Sequence, residues 1–149
     1  MRVPRYVWPA ALCATLFLGY AAGKAYYATQ GRLGLPGGAT VPPEAYEQLG
    51  YVPQRQWALA ALGLVAALLA VATVVPRDGA VARWLPPRWL ILTGLWGALV
   101  PLAAGVPFVV FRLATDGWSA VGSALQSAVL AGLWLTMVLS YQRRTRELR

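Results

Sequence analysis

The chain has 149 residues, of which 58% are hydrophobic and only 12% are charged, and its formal net charge is +8. Soluble globular domains usually carry about 25% charged residues, so this composition is typical of an integral membrane protein. With no histidine and a single cysteine, the chain cannot form a Cys/His zinc site, a histidine-ligated haem, an internal disulfide or a Ser-His-Asp triad from its own residues. We predict no cofactor.

Four long apolar stretches occupy most of the chain, over residues 6–27, 57–75, 89–111 and 119–141. A helix needs about 20 apolar residues to cross a hydrocarbon core about 30 Å thick. The sequence therefore predicts an all-α fold, an integral membrane four-helix bundle that forms one domain. The basic residues lie almost entirely between and outside these spans, which indicates orientation in a membrane rather than a nucleic-acid partner.

The first span, residues 6–27, follows a short basic start with Arg2 and Arg5. It is longer than the apolar region of about 7 to 15 residues in a secretory signal peptide, so we predict an uncleaved helix. Lys24 is the one charged residue clearly inside a predicted span. Either its stem carries the ammonium to the membrane surface, or the ammonium stands at the outer end of the bundle and faces an anionic headgroup or substrate.

The external loop over residues 28–56 is the segment with enough irregular chain to form a site outside the membrane, and loops of this length are often functional. Its start is rich in glycine and predicts turns. Glu44 and Glu47 lie three residues apart in a predicted short helix, so their carboxylates would share one side. They form either a solvated helix face or a site, as an acid and base pair, as ligands of a hard cation, or as partners of Lys24.

The second and fourth spans each present a helix face of small or polar residues, which predicts close helix packing. In the fourth span, hydroxyl groups can also bond across the contact. A polar cavity or substrate path along the fourth span is the alternative. In the second span these residues are Gly63, Ala67 and Ala70, and in the fourth they are Ser119, Gly122, Ser123, Gln126 and Ser127.

The third span contains Pro101 and Pro107, which lack an amide hydrogen, so two carbonyls including that of Ala103 lose their helical donors. Ala103 and Gln126 lie at matching depths, roughly 10 to 12 Å below the outer boundary. We predict that the Gln126 carboxamide donates a hydrogen bond to this freed carbonyl region. Spans three and four would then form a kinked hairpin.

Trp96 and Trp134 also lie at matching depths, each seven residues from the inner boundary of its span. The two rings could line a pocket for an apolar ligand such as a lipid or isoprenoid tail. Ordinary packing or exposure to lipid is the alternative explanation.

The distribution of basic residues predicts the orientation, because cytoplasmic loops carry an excess of Lys and Arg. With both termini in the cytoplasm, nine basic residues lie on the inner side and four on the outer side. The inner set includes four arginines around the tail at residues 142–149, which would hold the terminus inside and could attract anionic lipid. We therefore predict a multi-pass protein of the plasma membrane with cytoplasmic N- and C-termini.

The layout resembles small four-helix bacterial membrane proteins classed as domains of unknown function. The likeness lies in Gly23-Lys24-Ala25-Tyr26-Tyr27 followed by Gly31-Arg32-Leu33-Gly34, then a long loop and three more spans. The chain is also superficially similar to the four-helix, quinone-associated DoxX type, whose functional residues have no one-to-one match here. Neither resemblance implies a catalytic residue.

These features together favour a non-catalytic accessory or assembly subunit. The chain lacks a nucleophile and base pair and an acidic residue deep in a span for proton coupling. A small transporter or a lipid- or isoprenoid-handling membrane enzyme, using the outer end of the bundle, is the alternative. The expected partners are membrane lipids and either another membrane protein or further copies of the chain. Candidate ligand-binding residues are Lys24, Glu44, Glu47, Gln126, Trp96 and Trp134.

Overall fold

The computed structural model describes residues 7–34, 44, 46, 50–76, 83–101 and 121–147, without the side chains of 121–124, 126, 146 and 147. Over these residues the chain forms four helices and no strand, which confirms the all-α prediction. The chain divides into two compact units, one of Ala14–Leu68 and one of Met1–Cys13 with Leu69–Arg149.

Helix α1 spans Val7–Thr29, close to the predicted span at 6–27. Gly31 ends it by adopting a φ of 64°, a left-handed conformation that glycine reaches without steric cost. The Gly31 amide donates to the Ala28 carbonyl at 3.2 Å, and the Arg32 amide donates to the Tyr27 carbonyl at 3.1 Å. These two bonds form a Schellman motif, which satisfies carbonyls that the helix leaves free.

Helix α2 spans Val52–Ala72 and so begins before Trp57, where the apolar stretch starts. The helical backbone continues through polar residues, and Pro53 is tolerated because amides of the first turn have no helical acceptor. The connection between α1 and α2 is therefore shorter than the loop predicted over 28–56.

Helix α3 is described over residues 88–101. The amides of Leu90 and Ile91 both donate to the Pro87 carbonyl, at 3.0 and 3.2 Å, and start the helix. Helix α4 spans Val121–Glu147, so it continues past Tyr141 into the segment predicted as a tail, whose Gln and Arg residues favour helix. The other half of the predicted third span, up to residue 111, lies outside the described residues.

In the unit Ala14–Leu68, α1 and α2 pack through small residues. A Cβ on Gly63 would lie 2.9 Å from Tyr20 Cδ1, 3.2 Å from the Ala21 Cβ and 3.3 Å from the Phe17 carbonyl oxygen. The two backbones approach so closely at this level that only glycine fits without displacement. Ala67, another member of the predicted stripe, is also buried in this unit, and Ala70, the third member, is buried in the other unit.

The other unit has a core of larger side chains. Ile91 and Leu95 on α3 and Trp134 and Val138 on α4 have no exposed surface. The Trp134 Nε1 atom donates to the Leu95 carbonyl oxygen at 3.0 Å. Because a buried indole needs a partner for its one donor, this bond fixes the ring in the core.

The exposed surface of the helices is rich in large apolar side chains. On α2, Leu62 is 64% exposed and Leu68 is 60% exposed, whereas Ala60 and Ala66 on the same helix are buried. A helix in a soluble protein has the reverse arrangement, with a polar outer face. Among the described helices, α2 alone is long and apolar enough to cross a membrane, judged by length and composition.

Candidate functional site

The turn after α1 places the chain beside the end of that helix. A Cβ on Gly34 would lie 2.6 Å from Tyr27 Cε1, so the backbone at residue 34 lies directly against the tyrosine ring. A side chain at this position would force the tyrosine ring or the turn to shift. The carbonyl groups of Arg32 and Gly34 are thereby held near α1 and available as acceptors.

Lys24, a ligand-binding candidate predicted from the sequence, contacts this turn. Its Nζ atom donates to the Gly34 carbonyl oxygen at 3.0 Å and lies 5.6 Å from the centroid of the Tyr20 ring. The side chain is half-buried. The ammonium is thus held by a neutral carbonyl and an aromatic face, which leaves its positive charge without an anion among these contacts.

Gln56 on α2 reaches the same turn and was not predicted. Its Nε2 atom donates to the Arg32 carbonyl oxygen at 3.0 Å and to the Gly34 carbonyl oxygen at 3.4 Å. Gln56 has no exposed surface. Its Oε1 atom is buried and accepts no hydrogen bond from the described part of the chain.

The orientation of the Gln56 amide follows from its neighbours. An amide NH₂ can donate to two carbonyls, whereas a flipped amide would set Oε1 against the carbonyl oxygens of Arg32 and Gly34. The acceptor without a partner is therefore Oε1. A buried acceptor of this kind costs about 1 to 3 kcal/mol of desolvation, and native structures rarely leave one unpaired.

Lys24, Gln56 and the carbonyls of Arg32 and Gly34 form one group, which we call the Lys24–Gln56 cluster. The Gly34 carbonyl oxygen accepts from both side chains, so the ammonium and the amide share one acceptor atom. An ammonium has three N–H donors, and only one of them is used in the contacts described here. The cluster can offer spare donors with positive charge and one neutral acceptor.

The acidic candidates are described only in part. Glu44 has 3₁₀-helical backbone and is exposed, while Glu47 lies outside the described residues. The pairing of Lys24 with one of these carboxylates stays a prediction, since the partner seen for the ammonium is the Gly34 carbonyl.

The remaining candidates lie in the unit that contains α3 and α4. The backbone of Gln126 belongs to α4, but its side chain and the whole of Ala103 lie outside the described residues, so their hydrogen bond stays a prediction. Trp134 is fully buried, whereas Trp96 is 43% exposed. The indole nitrogen of Trp134 is bound to Leu95, which gives that tryptophan a structural role.

One signal in the sequence could have identified Gln56. Residues 56, 60, 63, 67 and 70 follow a spacing of four and three, which places them on one helix face. Extending the stripe of Gly63, Ala67 and Ala70 toward the start of the helix reaches Gln56. The polar residue was missed because the span was begun at Trp57, one position later.

A second polar contact involves the basic tail. The Nη2 atom of Arg144 donates to the Thr73 carbonyl oxygen at 3.0 Å, and the guanidinium lies 5.9 Å from the centroid of the Tyr141 ring. Thr73 follows the last residue of α2. A cation at a helix C-terminus satisfies a free carbonyl and interacts favourably with the helix dipole, so Arg144 stabilises this helix end.

Comparison with known proteins gives no match, because no family model, curated protein or solved structure is significantly similar to this chain.

Proposed function

We propose that this chain is a multi-pass plasma-membrane protein in which four helices form a bundle across the bilayer. The observation that carries the proposal is the outward position of the large apolar side chains on long helices. Only 39% of the most apolar window of α2 is buried, whereas the core helix of a soluble protein would be mostly covered. Lipid tails can accept Leu62 and Leu68 without the cost of exposing them to water.

Two further features support a membrane location. Helices α1, α2 and α4 contain 23, 21 and 27 residues, and at about 1.5 Å per residue each is long enough for the hydrocarbon core. Their contacts use small residues such as Gly63 and Ala21, as expected where helices associate by close packing in lipid.

The proposed orientation places both termini in the cytoplasm and the connection between α1 and α2 outside. It rests on the nine basic residues assigned to the inner side against four on the outer side. Exposed aromatic side chains support it at both boundaries: Trp8, Trp84 and Trp89 on the inner side, and Tyr26 and Trp57 on the outer side. Aromatic residues are enriched at both membrane surfaces.

Within the membrane, the chain acts as a non-catalytic accessory or assembly subunit. The contact between α1 and α2 at Gly63 has no room even for one added carbon atom. A solute path between these two helices would require them to separate. Such a closed helix pair agrees better with binding of another membrane protein than with transport. The large exposed apolar side chains are available for that contact.

Purification tests the accessory role. The tagged protein would be extracted from its native membrane in a mild detergent, and co-purifying proteins and lipids would be identified by mass spectrometry, with an unrelated tagged four-span protein as the control. A stoichiometric protein partner absent from the control supports the proposal. A protein that elutes alone, with no partner in crosslinked membranes, contradicts it.

The Lys24–Gln56 cluster favours the alternative, a small transporter or a lipid- or isoprenoid-handling enzyme that uses this end of the bundle. Purified protein in liposomes distinguishes the accessory role from this alternative. A transporter moves a solute into liposomes and an enzyme converts a lipid without help, while an accessory subunit does neither.

A further inference from the structure

We propose that the Lys24–Gln56 cluster binds a phosphate ester that bears its own hydrogen-bond donor, and that the occupant is a phospholipid headgroup such as phosphoglycerol. The proposal rests on the membrane location argued above and adds what this end of the helix pair binds. Its basis is one cation without an anion and one buried acceptor without a donor among the described residues, on two side chains that both donate to the Gly34 carbonyl.

The charge of the Lys24 ammonium favours an anionic ligand. The Lys24 ammonium donates to a neutral carbonyl at 3.0 Å and faces the Tyr20 ring, which satisfies part of its hydrogen bonding but not its charge. A phosphate oxygen would accept a charge-assisted hydrogen bond from a remaining N–H, the stronger kind of hydrogen bond. The side chain is only half-buried, so an anion can approach it.

The Gln56 amide oxygen favours a ligand that also carries a hydrogen-bond donor. Gln56 Oε1 is buried without a hydrogen bond within the described residues, and its amide is oriented by two carbonyls. An ionised phosphodiester has acceptors alone and cannot satisfy this oxygen. A ligand that satisfies both groups has a phosphate and, a few bonds away, a hydroxyl or ammonium. Because Gln56 is fully covered and Lys24 is only half-buried, the ligand approaches from the Lys24 side, and the side chains that cover Oε1 must shift for its donor to reach that oxygen.

The surroundings favour a lipid over a soluble phosphate ester. Tyr26, Tyr51 and Trp57 are each more than half exposed and lie within five residues of Lys24 or Gln56 along the chain. Exposed aromatic side chains of this kind are typical of the headgroup level of a membrane. The exposed cations Arg32 and Arg55 add a positive field that attracts anionic lipid.

The first test compares two lipids of equal charge on the unaltered protein. Phosphatidylglycerol has hydroxyl donors beyond its phosphodiester, whereas phosphatidylmethanol has none. Binding of each to the detergent-solubilised protein would be titrated by native mass spectrometry, with phosphatidylcholine as the zwitterionic reference. A site that hydrogen-bonds the hydroxyl prefers phosphatidylglycerol by about tenfold or more. Equal affinity for the two anionic lipids would overturn the proposal.

Variants then assign the preference to the cluster. Gln56→Met removes the amide and should bring the affinities for the two anionic lipids within about twofold of each other. Lys24→Met should weaken both by about tenfold, and Lys24→Arg should restore most of the loss because it restores the charge. Arg83→Gln is the matched control, because it removes an exposed cation that also lies over an aromatic ring, that of Trp84, but is on the inner side in the proposed orientation. It should have little effect.

Folding is checked by thermal unfolding of each variant, and the comparison of lipids on the unaltered protein stands even where a variant fails to fold. A folded Lys24→Met protein that binds phosphatidylglycerol as tightly as before would refute the site. If soluble sn-glycerol 3-phosphate competes with the lipid for binding, the site still recognises a phosphate ester with a hydroxyl donor. The occupant would then be a soluble ester and not a phospholipid. If alkaline carbonate extracts the protein from the membrane, the proposed membrane function is wrong. If the protein stays in the membrane but binds the two anionic lipids with equal affinity, only the proposed lipid site is wrong.

Discussion

Trp134 donates its indole hydrogen to the Leu95 carbonyl oxygen at 3.0 Å, and both residues have no exposed surface. Because Leu95 lies on α3 and Trp134 on α4, the bond joins the two helices inside their core. It combines a large buried aromatic area with a satisfied polar group, so Trp134 anchors this helix pair.

Replacement of Trp134 is therefore expected to destabilise the protein. Trp134→Phe should lose about 1 kcal/mol with the hydrogen bond, and Trp134→Ala about 3 to 5 kcal/mol through loss of packing. The measurement is unfolding in mixed detergent and SDS micelles. Trp96→Ala, at an exposed position on α3, is the control and should cost less than about 1 kcal/mol. Equal losses at both positions would contradict the assigned role of Trp134.

Gly63 tests the close contact between α1 and α2. Gly63→Leu should destabilise the protein by about 1 to 3 kcal/mol, since even its Cβ would meet Tyr20 and Ala21 and the helices must separate. Gly19→Leu is the matched control, because no heavy atom lies within 4 Å of a Cβ at that position. Unfolding in mixed micelles measures both. Tolerance of leucine at Gly63 would show that the helices are not this close.

Arg144 should matter more than the neighbouring Arg143. Arg144→Gln removes the bond to the Thr73 carbonyl and should cost roughly 1 kcal/mol or more, because charged hydrogen bonds exceed neutral ones. Arg143 is exposed, and Arg143→Gln removes the same charge from the tail. A comparable loss of stability in both variants would mean that overall tail charge, rather than the helix-end contact, is responsible.

Gly34 should be intolerant of a side chain. In Gly34→Ala the new Cβ would lie 2.6 Å from Tyr27 Cε1, so the turn and the tyrosine ring must separate. Movement of the turn carries its carbonyl away from Lys24 and Gln56. We expect a lower melting temperature and weaker binding of phosphatidylglycerol. Gly50→Ala is the control, since a Cβ there meets no heavy atom within 4 Å. Unchanged binding of phosphatidylglycerol in Gly34→Ala would show that the turn is not part of the lipid site.

The helices could be predicted from the sequence because long apolar stretches and their glycine or proline boundaries leave few alternatives. Their ends could not, since α2 includes polar residues before Trp57 and α4 continues through Arg143 and Arg144. Lys24 was found because a charge stands out in an apolar span. Gln56 was not found, because its role depends on the Schellman turn at Gly31 bringing two carbonyls to it, a tertiary contact that periodicity does not encode.

We propose that the helices cross a membrane with both termini in the cytoplasm, and cysteine labelling of intact cells tests this topology. After Cys13→Ala removes the one native cysteine, single cysteines would be placed at Gln30, Leu62, Arg83 and Arg143, all exposed positions, and treated with a membrane-impermeant maleimide. We predict labelling of Gln30→Cys in intact cells, of Arg83→Cys and Arg143→Cys only after permeabilisation, and of Leu62→Cys in neither case. Labelling of Leu62→Cys by the aqueous reagent would show that α2 is not embedded in lipid, and the same accessibility for Gln30→Cys and Arg143→Cys would contradict the proposed orientation.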